Sequence, residues 1–233
     1  MRFIIRITLF TTICFVYVSV LHDAVTAQIQ PQQTSFDCAA VSEIPQIECE
    51  ALVAIYNRTE GSGWIRNDNW LRTMSPCGWY GVTCSSRRVT SLDLDNDNMG
   101  NNLKGALPAA IGDFVSLTYL DLSDNQLNHI PSEIGNLSNL SQLWLSWNLL
   151  DSIPIEIGNL SNLVVLSFYN NHIRTIPTEM GNLSNLSWLY LDNNQLTNIP
   201  TEISKLTNLT YLFLSSNQLS SIPVEIGNLS NLS

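Results

Sequence analysis

Leu117-Thr118-Tyr119-Leu120-Asp121-Leu122-Ser123-Asp124-Asn125-Gln126-Leu127-Asn128-His129-Ile130-Pro131 is the stretch on which the reading of the chain turns. Leu120 and Leu122 lie two apart, the period of a strand, so both point inward, while Tyr119, Asp121 and Ser123 are expected to face solvent. Asn125 falls where the chain leaves the strand, and its amide can satisfy backbone groups at that bend. Ile130-Pro131 fixes an extended or turn conformation, because proline locks φ and restricts the residue before it. The phrase recurs every 23 residues: Leu117, Leu140, Leu163, Leu186 and Leu209 each open L-x-x-L-x-[LF]-x-x-N-x-[LI]-x-x-I-P, and Leu232 begins again. A fixed period means stacked units, none of which can bury its apolar face alone.

Working outward, five copies fill 117–231, a divergent copy occupies 89–116, and residues 232–233 start a sixth. The divergent copy runs through Val89, Leu92, Leu94, Asn101, Leu103, Gly105, Leu107 and Pro108, with an insertion around Asp97 to Gly100. Stacking predicts parallel strands about 4.8 Å apart and a buried row of Asn125, Asn148, Asn171, Asn194 and Asn217. Glu-Ile-Gly-Asn-Leu closes the outer side, with Ile134 and Leu137 inward. The pattern ends without a polar cover for the Ile226/Leu229 layer, which reads as a fragment of a longer array.

This pattern resembles that of the leucine-rich repeat family and covers residues 89–233. Trp70 to Cys84, with Pro76-Cys77-Gly78-Trp79-Tyr80-Gly81-Val82-Thr83-Cys84, is similar to the N-terminal cap of plant-type extracellular members, including receptor-kinase ectodomains and polygalacturonase-inhibiting proteins. The resemblance implies an α/β repeat solenoid: a leucine-rich repeat horseshoe with a parallel concave sheet, a disulfide-braced helical N-terminal cap and a general binding role. Only the divergent copy has the Leu-x-Gly-x-Leu-Pro form of the plant type. The others are one residue shorter and lack that glycine, so hormone-receptor and inhibitor functions are not carried over.

Upstream, residues 1–27 read as a signal peptide: Arg2 and Arg6, an apolar run from Ile7 to Leu21, and small residues at Val25-Thr26-Ala27. No later segment is suited to span a bilayer, so no membrane insertion is expected after cleavage. Residues 28–88 are the cap. Cys14 goes with the leader, leaving Cys38, Cys49, Cys77 and Cys84, which allow three pairings. The shortest loops favour Cys38 with Cys49 and Cys77 with Cys84, and a zinc site finds neither Cys-x-x-Cys nor a His pair. Pro45 can start a helix to about Asn57 with Cys49, Leu52, Val53 and Tyr56 on one stripe. Trp64, Trp70 and Trp79 are expected to cover the first repeat.

Ten Lys/Arg against twenty Asp/Glu give a net charge of -10, which argues against binding nucleic acid or an anionic membrane. Function is expected from the outward places of the strands. Those places carry Tyr119, Asp121, Trp144, Trp147, Tyr169, Trp188, Tyr190, Tyr211 and Phe213, rings of the kind recognition sites use as anchors. Strand surfaces also favour aromatic residues for pairing alone, so the stripe has a structural reading as well. Asp93, Asp95, Asp124 and Asp192 join it. Asp93, Asp95 and Asp97 fit a solvated acidic patch better than a calcium loop, because Met99 stands at a ligand position and no Glu follows. With His129 and His172 isolated, no nucleophile motif and no phosphate loop, neither an enzyme nor a cofactor is expected. Asn57 is the better glycan acceptor, since Asn139 and its equivalents immediately precede a core Leu.

The sequence thus reads as a secreted or cell-surface recognition module whose concave face binds an extracellular protein, peptide or glycan. A receptor-kinase ectodomain fragment and a secreted enzyme inhibitor are the alternatives.

Overall fold

The 23-residue period resolves into one strand, one bend and one five-residue 3-10 turn per copy. The computed structural model describes residues 36–97 and 99–233; the expected leader, with Cys14, lies outside them. One α-helix is present among the described residues, α1 (Gln46–Arg58). The strands are β1 (Val82–Ser85), β2 (Arg88–Asp93), β3 (Lys104–Ala106), β4 (Tyr119–Asp121), β5 (Gln126–His129), β6 (Gln142–Trp144), β7 (Val165–Ser167), β8 (Trp188–Tyr190) and β9 (Tyr211–Phe213). No helix among the described residues is long and apolar enough to cross a membrane.

One sheet runs β1-β2-β4-β6-β7-β8-β9. All its neighbours are parallel except β1, which forms a hairpin with β2. Leu92, Leu120, Leu143, Leu166, Leu189 and Leu212 stand opposite one another in unbroken register. The first five are completely buried, and Leu212, at the last strand, is half-buried. Burying each such leucine stabilises by about 1.5–3 kcal/mol, an amount available only when another copy lies beside it.

The asparagine row closes the bends. The Asn148 carbonyl oxygen accepts from Leu127 N–H at 2.9 Å, while its amide donates to the carbonyls of Leu122 (2.9 Å), Leu145 (3.3 Å) and Ser146 (3.1 Å). One side chain thereby serves its own copy and the preceding one, where an unpaired buried group would cost a hydrogen bond. Asn125, Asn171 and Asn194 do the same and are 6–7% exposed. Asn217 keeps these bonds but is only half-buried, a departure from the expected buried row. A second ladder runs outside: Asn139, Asn162, Asn185, Asn208 and Asn231 each donate to a carbonyl of the preceding copy at 2.7–2.8 Å.

On the outer side the copies meet backbone to backbone. A Cβ added at Gly135 would lie 2.6 Å from the Glu156 carbonyl oxygen, and one at Gly158 would lie 2.3 Å from that of Glu179. Ser204 takes this place in the fourth 23-residue copy. A second sheet pairs only β3 with β5. Later copies keep single backbone bonds at this level, such as Leu149 N–H to Leu127 O at 2.8 Å and His172 N–H to Leu150 O at 2.8 Å. The plant-type form at Gly105, with φ +80, is thus confined to the copy that carries the motif.

The cap is built differently. Cys38 pairs with Cys49 and Cys77 with Cys84. Trp64, Trp70 and Trp79 are 1–5% exposed. Trp70 packs against Trp64 at 4.9 Å, Trp79 at 5.0 Å and Tyr56 at 5.8 Å between ring centres. Each indole N–H finds a carbonyl: Trp64 that of Thr59, Trp70 that of Tyr80 and Trp79 that of Thr73. In α1 the buried residues are Glu48, Cys49, Ala51, Leu52 and Ile55, with Pro45 as the N-cap. Val53 and Tyr56 are only half-buried, contrary to the expected stripe, because the face turned to the array centres on Leu52 and Ile55. Glu48 is fully buried, accepting from Val89 N–H at 2.8 Å and pairing with Arg88 at 2.9 Å, which ties the helix to β2.

Candidate functional site

The concave face is made by the strand residues between the inward leucines and by the two residues after each strand's second leucine. Two regions of different chemistry result. Over β2 and β4 the face is acidic; from β6 to β9 it is aromatic.

At the acidic end, the carboxylates of Asp93, Asp95 and Asp121 come within 4.8 Å of one another. Burial, then a hydrogen bond and repulsion from Asp95, push the Asp93 carboxyl up to about 6. Burial also raises Asp121 and Asp124. Asp121 corrects an expectation: it is 9% exposed and Ser123 is 7% exposed, so neither faces open solvent. Alternation sets the face a side chain points to, but these short side chains are walled in by neighbours. Both Asp121 oxygens are engaged, by Ser123 N–H at 2.9 Å and Tyr119 O–H at 3.0 Å. Burial and Asp121 together push the Tyr119 hydroxyl up, so it stays a donor.

Asp97, grouped with Asp93 and Asp95 in the sequence, turns instead to Arg66 at 3.0 Å, and Arg66 lies over the Tyr80 ring at 3.9 Å. The three clustered carboxylates are hard donors of the kind calcium takes. They supply fewer than its usual six to eight or so oxygens.

At the aromatic end, Trp188 stacks on Tyr211 with ring centres at 3.9 Å, and Tyr190 on Phe213 at 4.8 Å with planes 4° apart. β7 contributes Val165 and Ser167 rather than rings, and Trp144 meets Tyr190 across it at 5.9 Å. A cavity of about 400 Å³ opens there, lined by Trp144, Ser146, Ser167, Tyr169, Tyr190, Asp192 and Phe213. Ser146 and Ser167 are buried and share a hydrogen bond at 2.6 Å. Their small size makes the space, a contribution that a search of the sequence for large side chains passes over. Asp192 sits at the edge, its carboxylate held by Ser215 N–H at 3.1 Å. Burial, then Asp192, raises the Tyr190 hydroxyl, which stays neutral.

Trp147 stands apart. The residue before the bend asparagine is left-handed in every 23-residue copy: Asp124, Trp147, Asn170, Asn193 and Ser216 have φ between 53 and 55. Asp and Asn accept that conformation easily, whereas a bulky tryptophan is strained there. Trp147 is 46% exposed and meets Tyr169 edge-on at 5.4 Å. The aromatic residues expected at the site thus lie at the exposed or half-exposed places of one face, and Asp121 lies beneath it.

A family model described as a leucine-rich repeat region matches residues 85–187 and 156–233. A probable leucine-rich repeat receptor-like protein kinase of Arabidopsis thaliana is 37% identical over 94 residues, covering 36% of this chain and 8% of its own length. The chain spans less than a tenth of the length of the curated relatives it matches. The solved structure of PEPR1–AtPEP1 has a TM-score of 0.68 at 33% identity, covering 79% of this chain and 27% of the other. The Arabidopsis receptor kinase HAESA, in complex with the peptide hormone IDA and the co-receptor SERK1, has a TM-score of 0.64 at 32% identity, covering 80% and 32%. The chain belongs to the leucine-rich repeat family, as an extracellular member with a plant-type N-terminal cap.

Proposed function

We propose that this chain is an extracellular recognition module that binds a peptide or protein partner through its concave face and performs no chemistry. The observation that carries the proposal is the aromatic row from β6 to β9, with Trp147 held in a backbone conformation that disfavours it. Strand pairing accounts for rings that stack on one another. It does not account for a strained, half-exposed tryptophan, and strain that persists at a surface points to use. The likeness to HAESA in complex with a peptide hormone supports a peptide as partner. It also supports a role as the ligand-binding part of a receptor-like kinase, the class named for the curated relatives.

The test is selection of peptides from a random display library on the full chain, repeated with Trp144→Ala/Trp188→Ala. Selected peptides should bind the folded variant at least about tenfold more weakly, as loss of central aromatic anchors does elsewhere. Undiminished binding to a variant with native circular dichroism overturns the concave-face reading.

A further inference from the structure

We propose that the cavity over β7, between Trp144, Tyr169, Tyr190 and Asp192, receives a cationic side chain of the bound peptide, an arginine or a lysine. The inference rests on the peptide-binding reading above and specifies what one subsite selects.

Three observations converge on a cation. First, the cavity pairs aromatic rings with one carboxylate: Trp144, Tyr169, Tyr190 and Phe213 surround it, and Asp192 stands at its edge. Ring faces carry negative electrostatic potential and attract guanidinium and ammonium groups, most strongly where water is partly excluded. Second, the charge of the face is one-sided. From β2 to β9 its outward places carry Asp93, Asp95, Asp121, Asp124 and Asp192 and not one Lys, Arg or His. A cation on the bound segment meets complementary charge at the acidic end and again at Asp192, and no cation of the face offers a partner to an anion. Third, the molecule builds the same triad once within itself: Arg66 lies over the Tyr80 ring at 3.9 Å while its guanidinium pairs with Asp97 at 3.0 Å. Tyr190 and Asp192 set a ring and a carboxylate together again, this time at the mouth of an open cavity.

A neutral sugar ring is the competing occupant, since it also stacks on aromatic faces. The carboxylate separates the two: a sugar hydroxyl donates one hydrogen bond to Asp192, which an amide oxygen also accepts though more weakly, whereas a cation gains the full charge. Trp147 acts as a positioning residue, its ring set edge-on against Tyr169.

The experiment uses the full chain and the library selection described above, followed by binding measurements on individual synthetic peptides. The expected result is enrichment of Arg or Lys at one position. Replacing that arginine by citrulline, which keeps the shape and removes the charge, should weaken binding about tenfold, or about 1.4 kcal/mol. Asp192→Asn retains an oxygen for Ser215 N–H, so the variant is expected to fold; it should lose a similar factor toward the arginine peptide and little toward the citrulline one. If selected peptides depend on Trp144 but show no basic preference, or ignore both substitutions, the cation assignment is overturned while the peptide-binding reading stands. The cation assignment also falls if N-acetylglucosamine hexamer quenches the tryptophan fluorescence of wild type and Asp192→Asn equally, and not that of Trp144→Ala, while arginine peptides quench none of them. If no selected peptide depends on Trp144 and Trp188, both readings fall.

Discussion

Asn101 and Asn148 occupy the same place in their copies, and the structure uses them differently. Asn148 bonds its own bend and the copy before it. Asn101 turns to the cap, donating to Arg66 O at 3.0 Å and accepting from Arg66 N–H at 2.6 Å. The array is held by one set of contacts used repeatedly; the cap is held by contacts that each occur once, the tryptophan cluster, two disulfides and the Glu48–Arg88 pair. Damage in the array has neighbours to share it, whereas damage at the cap seam has no substitute.

The sharpest attack on that contrast is Arg88→Ala, which leaves Glu48 buried without its cation. Urea unfolding should show a loss of about 3–5 kcal/mol, and a loss below about 1 kcal/mol would mean the seam is not what holds the cap. Asn148→Ala should cost about 2–4 kcal/mol by orphaning Leu127 N–H and its carbonyl partners, against roughly 1 kcal/mol for half-buried Asn217→Ala. Equal costs would deny the graded burial of the row. Removing the Cys77–Cys84 bridge, which closes a separation of only 7 residues, should cost about 2 kcal/mol, with β1 gaining hydrogen exchange before any strand of the array.

Trp147→Asn relieves the left-handed backbone, worth about 1 kcal/mol or more, and forfeits the Tyr169 contact, worth about 0.5–1.5 kcal/mol. Melting should therefore scarcely move while peptide affinity falls; a large stability loss would make Trp147 structural. The smallest effect is the pH response of the acidic end. Asp93 is raised from an ordinary 3.8 to about 6, so the folded state holds its proton more tightly. The stabilisation is complete below about pH 4 and lost as pH rises through about 6. Asp93→Asn should flatten that part of the melting-temperature profile.

Much of this was legible in the sequence. Leu120, Leu143 and Leu166 declare their burial by period alone, and Asn125 and its equivalents by their place after each strand. The shortest-loop argument gives the disulfides that the structure contains. What stayed hidden depends on neighbours rather than period. Asp121 is covered because its oxygens are taken up by Ser123 and Tyr119, which no alternation rule reports. The cavity exists because β7 brings Ser167 where β6 and β8 bring Trp144 and Tyr190, a relation between copies. Glu48 reads as an ordinary surface residue on a helix until Arg88 and Val89 are placed against it.

Ser204 has a consequence for the ring-bearing end. At Gly112, Gly135, Gly158 and Gly181 the copies touch on the outer rim too closely for any side chain. Ser204 carries a Cβ at that place, so it is expected to hold the last two copies farther apart on the outer rim than glycine holds the earlier ones. Opening the outer side of a pair whose strands keep their register leans β8 toward β9 on the inner side, where Trp188 and Tyr211 stack at 3.9 Å and Tyr190 and Phe213 at 4.8 Å, so Ser204→Gly is expected to loosen those stacks.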